Sequence, residues 1–314
     1  MSKQAQATVA ANSTPRRTSS KQLRETLDAY SMLLPTILGV AIFFAVPLGI
    51  SLYLSFTDAR ILGDIKIVGF ANYVKALSDE AFWIALRNTF IFSVFTLFLS
   101  TVPALIIAIL LNEQIMGRSF FRVLFFIPVV ASVVGIGLLW RYLLDFDFGF
   151  VNYGLSLFGI EPIPWLTSAK WGLTSVIIVF AWKSVGYNMV IFLAGLQGVP
   201  RQLYEAASLD GASRWKQFLN ITLPMLSPTT FFVLVTTLIN CLQVFDVPIS
   251  LGITRSGTIG QGDSMLTVVP LLYREAFLNT RMGYASAIAW ILFLIIMVIS
   301  FIQFRVSDRW VNYE

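Results

Sequence analysis

The chain has 314 residues, of which 57% are hydrophobic and only 12% charged, about half the ~25% charged content of a soluble globular domain. One cysteine, Cys241, and no histidine exclude an intramolecular disulfide, a Cys/His metal cluster and Ser-His or Cys-His catalysis. The net charge of +5 does not indicate nucleic acid, because the basic residues are scattered among short loops rather than gathered on one face.

With a mean hydropathy of +0.77, the apolar residues exceed what one buried core holds, and they gather in blocks of the ~17–25 residues that cross a bilayer as a helix. Strands are excluded, since a barrel needs ~10-residue segments of alternating polarity and Ala285 to Ile302 does not alternate. The expected fold class is an all-α membrane protein with six transmembrane helices.

In chain order, residues 1–30 form a tail rich in Ala, Ser and Thr, with Arg16, Arg17, Lys21 and Arg24. It lacks a short apolar run with a cleavage site and reads as a retained, mostly disordered cytosolic tail. A membrane domain over 31–304 follows, with spans near 31–55, 88–111, 121–144, 171–195, 227–247 and 283–304, then a short cytosolic tail, 305–314. Pro35, Pro47, Pro103 and Pro128 lie inside or at the edges of spans, where they kink helices or end them. The longest outer loops, near 56–87 and 248–282, are too short for an independent domain.

Six spans put both termini on one side. If that side is cytoplasmic, the inner segments hold Arg118, Arg122, Arg201, Arg214, Lys216 and Arg305 besides the tail bases, a modest positive-inside excess. Trp140 and Trp171 near span ends read as interface anchors.

Polar residues inside spans are the candidate solute path, because hydrocarbon tolerates them only against a packed interior or a wet cavity. Thr89, Ser93, Thr96 and Ser100 in the second span form a small, mildly polar stripe that reads as a helix-packing seam. In the fourth span Tyr187 lies one turn beyond Lys183, with Asn188 beside it, and in the fifth Thr236, Asn240 and Gln243 fall at i, i+4 and i+7, on one helix face. Each has an alternative: the neutral groups can serve interhelical hydrogen bonding, and Lys183 either neutralises a carboxylate or meets an anionic solute. Asp246 lies close to the outer end. Trp182, Tyr187, Asn188, Asn240 and Gln243 are compatible with a sugar, which needs aromatic faces and neutral hydrogen-bonding groups.

The inner loop over 199–224 is the longest. Pro200 starts a helix at its first turn, Glu205, Ala206 and Ala207 are compact residues suited to a helix, and Asp210-Gly211 is a turn signal. A second short helix from Ser213 to Leu223 runs to Pro224. Two short helices around a tight turn make a compact knob at the membrane surface.

Glu205-Ala206-Ala207, two residues, Asp210-Gly211-Ala212, eight residues, then Ile221-x-Leu223-Pro224 resembles the signature of binding-protein-dependent ATP-binding-cassette importer permeases. The Asp-Gly-Ala variant is similar to the carbohydrate-uptake branch, which includes permeases for maltose, other oligosaccharides and glycerol-3-phosphate. Softer resemblances run through Arg122 to Pro128, Phe192 to Gln197, and Tyr273 to Ala287. The chain departs from the family at 254–263, where a Thr-Gly-Gly-Pro-like turn is common, and it lacks the large outer domain of the maltose permease.

The resemblance implies the transmembrane domain of a type I importer, with the loop between the fourth and fifth spans as a coupling helix seated in a cytosolic ATPase. Glu205 would meet a basic group there, Ala206 and Ala207 would allow close approach, Asp210 and Gly211 would make the turn, and Ile221, Leu223 and Pro224 would anchor the second helix. It implies a non-enzymatic subunit with no catalytic or metal residue and no cofactor of its own, ATP and Mg being bound on partner ATPases; the chain has no G-x-x-x-x-G-K-[ST] loop. The implied partners are a second permease subunit, in most carbohydrate importers a different chain, two ATPases, an extracytoplasmic solute-binding protein and membrane lipid. The implied location is the bacterial cytoplasmic (inner) membrane, multi-pass, with both termini cytoplasmic. The alternatives are a permease of this kind for a non-carbohydrate solute such as glycerol-3-phosphate, and an ion-coupled secondary transporter. The latter should carry an intramembrane carboxylate relay, and no expected span has a central Asp or Glu.

Overall fold

The structure, a computed structural model, describes residues 20–61, 65–113, 116–254, 257–308 and 310–311. Residues 1–19 of the expected tail, Arg255 and Ser256 of the departing loop, and part of the C-terminal tail lie outside them. Among the described residues the elements are helices, and extended pairing is limited to two isolated bridges, Thr57 with Ile67 and Ile253 with Ile259.

The chain divides between Ser51 and Leu52. The first unit is helical from Ser20: α1 (Ser20–Val40) passes through a π-turn (Ala41–Ala45) into α2 (Val46–Ser55), whose last four residues belong to the second unit. Residues 20–30, the end of the tail expected to be mostly disordered, are therefore helical. They include Leu, Arg and Glu and no Gly or Pro, so they favour helix, and the helix that is apolar enough to cross a membrane begins among them, at Arg24.

In the second unit α3 (Ala71–Ser78) precedes α4 (Glu80–Asn112), then α5 (Arg118–Val130), α6 (Val133–Leu143), α7 (Phe150–Ser156) and α8 (Gly172–Gln197). A short pair, α9 (Arg201–Leu209) and α10 (Arg214–Gln217), leads through a π-turn (Phe218–Thr222) to α11 (Leu223–Met225). After these come α12 (Ser227–Leu242), α13 (Asp246–Gly252), α14 (Val268–Tyr273), a π-turn (Arg274–Leu278) and α15 (Met282–Ser307). Among the described residues four helices are long and apolar enough to cross a membrane, or up to six spans if each of two bent pairs counts as one.

The bent pairs correct the expected geometry. The third span is not one helix over 121–144: α5 and α6 meet at 101°, with Ala131 and Ser132 extended between them (ψ 144° and 131°). Pro128 has no N–H to donate to the preceding turn, and an apolar run has the same composition straight or bent. The fifth span ends at Leu242 rather than at 247, and α12 meets the helical stretch Arg214–Met225 at 65°.

Two of the π-turns share a cause. Ala41–Ala45 ends two residues before Pro47 and Phe218–Thr222 ends two residues before Pro224. A helical proline removes one backbone hydrogen bond and crowds the carbonyl four residues back; a widened i→i+5 turn relieves both without ending the helix.

The most extensive interhelix packing joins α4 to α8. The rings of Phe92 and Phe180 lie 5.3 Å apart, and the Asn188 amide donates to Ser100 Oγ at 3.4 Å; the sequence separation is equal in the two pairs, so the helices run parallel. Thr89, Ser93, Thr96 and Ser100 are all buried, as expected of a packing seam, since small side chains let helix axes approach closely. Trp140 and Trp171, expected as interface anchors, pack edge-on against Trp182 (5.5 Å) and Trp165 (5.3 Å) beside the core.

Buried asparagines organise the loops opposite the 201–225 end. Asn72 donates to the carbonyls of Ser55 and Thr57, and Asn88 to that of Leu266 at 3.0 Å. Asn152 donates to the carbonyl of Ile163 and accepts from Ile163 N and Trp165 Nε1. Each satisfies backbone groups that no helix pairs.

Two glycines set helix distances: a Cβ on Gly186 would overlap the Phe125 carbonyl of α5, and one on Gly283 the Thr57 carbonyl. Gly186→Ala is expected to lower stability by roughly 1–3 kcal/mol, the range for overpacking, whereas Gly154→Ala, with nothing within 4 Å of its Cβ position, should cause no loss. Thermal unfolding in detergent checks this; equal melting points would contradict the packing described.

Candidate functional site

The expected two-helix knob forms at 200–225, with adjusted ends. Pro200 is the residue before the first helical one (φ −61°, ψ 127°) rather than inside the turn, and the second helix continues past Pro224 to Met225. α9 closes with a paired cap. Gly211 takes φ +76°, the Gly211 amide donates to Ser208 O at 3.1 Å, and the Ala212 amide donates to Ala207 O at 2.9 Å. This pair of hydrogen bonds around a left-handed residue satisfies two of the last carbonyls of the helix and favours glycine. Ser213 starts the next helix by accepting from Lys216 N at 3.4 Å.

Side chains clamp the two helices together. The Tyr204 and Thr222 hydroxyls lie 3.0 Å apart, and the Gln217 amide donates to Ser208 Oγ at 2.9 Å and to Ala212 O at 3.2 Å. The inner face of α9 is thereby fixed, which turns Glu205, Ala206 and Leu209 outward to solvent. Leu209 is 90% exposed and Trp215, on the neighbouring helix, 67%. An acid beside exposed apolar groups on a braced support is the chemistry of a protein contact. Ala207, Ile221, Leu223 and Pro224 are half-buried; Asp210 and Gly211 are exposed at the turn.

The second candidate region is a cleft of about 360 Å³ between α8 and α12, within the ~300–1,000 Å³ typical of small-molecule sites. Lys183, Tyr187, Asn188, Asn240 and Gln243 all line it. Thr236 does not; its hydroxyl donates back to Phe232 O at 2.8 Å. The neighbouring Thr237 takes the inward position, and its hydroxyl donates to Asn188 Oδ1 at 3.3 Å. Asn188 is 1% exposed and joins α4, α8 and α12 through Ser100 and Thr237. Tyr187, Asn240 and Gln243 are exposed to the cleft.

Lys183 has found its carboxylate: Nζ lies 3.2 Å from Asp246 Oδ2. Asp246 opens α13, and its Oδ1 accepts from Val247 N at 2.9 Å. In the sequence Asp246 carries little signal, because it lies close to the outer end of the expected fifth span. The available signal was Lys183 itself, since an ammonium in a span requires a counter-charge. Phe180, Ser184, Phe245 and Thr237 also line the cleft and carried no distinguishing signal. A second cleft, of about 690 Å³, opens at the end of the bundle opposite the knob, beside Asp145, Trp165, Thr254 and Gln261.

The protein family described as Binding-protein-dependent transport system inner membrane component matches residues 83–313. The chain is 36% identical over 299 residues to the Probable ABC transporter permease protein YesP of Bacillus subtilis, covering 93% of this chain and 94% of that one. It is 36% identical over 293 residues to the Lactose transport system permease protein LacF of Rhizobium radiobacter, covering 91% and 97%. Among solved structures it superposes with a TM-score of 0.79 and 26% identity, covering 93% of this chain and 98% of the other, on a chain of a bacterial alginate ABC transporter in complex with an alginate pentasaccharide-bound periplasmic protein.

If the side-chain clamps hold the knob, Tyr204→Phe together with Gln217→Ala removes the Thr222, Ser208 and Ala212 contacts. Amide hydrogen exchange over 201–225 should then rise at least about fivefold, the equivalent of roughly 1 kcal/mol, which is the net worth of one of the three lost bonds. Unchanged exchange would show that the backbone cap alone suffices.

Proposed function

Because the chain belongs to the family of binding-protein-dependent transport system inner membrane components, we propose that it is one permease subunit of an ATP-driven importer for a sugar, oligosaccharide or sugar-like solute. It lies in the inner membrane as a multi-pass protein with both termini and the 200–225 knob on the cytoplasmic side. Solute moves inward by alternating access. The chain performs no chemistry: ATP and Mg bind to two separate ATPase subunits, a second permease subunit completes the path, and an extracytoplasmic binding protein delivers the solute.

The observation that carries this reading is the knob, a short helix with an outward acid and exposed apolar groups, capped at Gly211 and clamped to the stretch that leads into α12. A force applied to Glu205, Ala206 and Ala207 passes through Tyr204–Thr222 and the helix anchored by Ile221, Leu223 and Pro224. It reaches α12 across the 65° bend. Because α12 carries Thr237 and Asn240 into the cleft, with Gln243 just past its last residue, rotation of this unit moves the cleft wall itself. Carbohydrate is the proposed class because lactose is named for one relative and alginate for another, and because the cleft offers an aromatic ring beside neutral amides.

In the reconstituted complex, Glu205→Lys or Gly211→Pro should leave the chain inserted and reduce ATP-driven uptake more than about tenfold. Charge reversal at a desolvated contact accounts for the first, and proline cannot adopt φ +76° for the second. Wild-type uptake with wild-type ATP hydrolysis in either variant would refute this assignment of the knob.

A further inference from the structure

Among the described residues lining the α8–α12 cleft, Lys183 and Asp246 are the only charged ones, and they neutralise each other. The pair is asymmetric. Asp246 is fixed by its bond from Val247 N and by α13, whose Val247, Pro248 and Leu251 are buried. Its side chain is 37% exposed against 19% for Lys183, so the carboxylate is the more accessible partner. Lys183 is the flexible arm, with one of its three donors engaged by Asp246.

We propose that this pair sets the class of solute: the cleft accepts a neutral saccharide and rejects one bearing a carboxylate or phosphate. This rests on the importer reading above and narrows it. An anionic solute would meet no free cation in this wall, and to reach Lys183 it must displace Asp246, which cannot leave and would remain beside it as a like charge. A sugar hydroxyl meets no such conflict. It donates to Asp246 while accepting from Lys183, since a hydroxyl is both donor and acceptor, and both bonds are strengthened by the charge of the partner. Asn240 and Gln243 offer further neutral donors and acceptors, and the half-exposed Tyr187 ring offers a face to ring C–H groups. The charges of this wall, rather than the cargo of any relative, therefore separate neutral sugars from uronates and sugar phosphates.

The test uses the complete permease–ATPase complex in lipid nanodiscs without a solute-binding protein, so that the permease alone selects. Maltotriose and trigalacturonate, equal in ring number and different in charge, are titrated by equilibrium dialysis at low salt. Wild type is expected to bind maltotriose at least tenfold more tightly than trigalacturonate. Asp246→Asn, which leaves Lys183 without its counter-charge, should shift that ratio tenfold or more toward the acid, and the gain should disappear in high salt. Lys183→Gln gives the reciprocal arm, with the acid rejected more strongly than by wild type. Equal or preferential binding of trigalacturonate by wild type, an unchanged ratio in both variants, or binding of neither saccharide overturns the proposal. The importer reading is judged separately by uptake in the Glu205→Lys complex, so the two can fail independently.

Discussion

Lipid tails are as apolar as leucine, so a helix gains little by exchanging lipid for another apolar helix. What holds α4 against α8 is close approach along Thr89, Ser93, Thr96 and Ser100, with Asn188 bonded across to Ser100 and Thr237. This parallel pair is the frame on which the bundle is assembled. Gly186 brings α5 onto α8, Gly195 sits against Thr229 of α12, and Thr89 accepts from the amide of Val268 at the start of α14. With α8 held in this way, Lys183 and Tyr187 project to the side where α12 ends, and the cleft is what lies between.

Breaks in helices then give the bundle its working shape. The bend between α5 and α6 and that between α11 and α12 occur near Pro128 and Pro224. At Pro224 the π-turn Phe218–Thr222 keeps the helix going through the proline, so the knob remains mechanically joined to α12 rather than hanging on a loop. At the other end of α12, the non-helical Gln243, Val244 and Phe245 allow α13 to begin anew at Asp246, which is how a carboxylate outside the continuous helix comes back to face Lys183. A straight fifth span to residue 247 would have carried Asp246 onward along the helix axis.

Legibility followed the range of the interactions concerned. The knob was readable because proline, small helix formers, Asp-Gly and a second proline each act on their own few residues; only the ends shifted, by one residue at Pro200 and at Ser213 and by two at the far end of the second helix. The seam of α4 was readable because a stripe of small polar residues at helical spacing has few other uses in lipid. In the cleft, five of the six expected path residues came together, and Thr236 lost its place to Thr237. Along a helix a step of one residue turns about 100°, and which of two threonines points inward depends on the rotation of α12 against α8. That rotation is a property of the packed pair.

The sequence by itself determined the class of the molecule, the approximate spans, the two short helices around Gly211 and the need for some counter-charge near Lys183. Each follows from composition, periodicity or backbone preference within one or two turns of helix. Only the tertiary structure decided that the third span folds back at 101°, that Asn188 joins three helices, and that Asp246 is the partner of Lys183. Those outcomes depend on contacts between residues far apart in the chain, where several arrangements share one hydropathy profile. Packing selects among them by whether a Cβ fits, as at Gly186, and whether a buried polar group finds its partner.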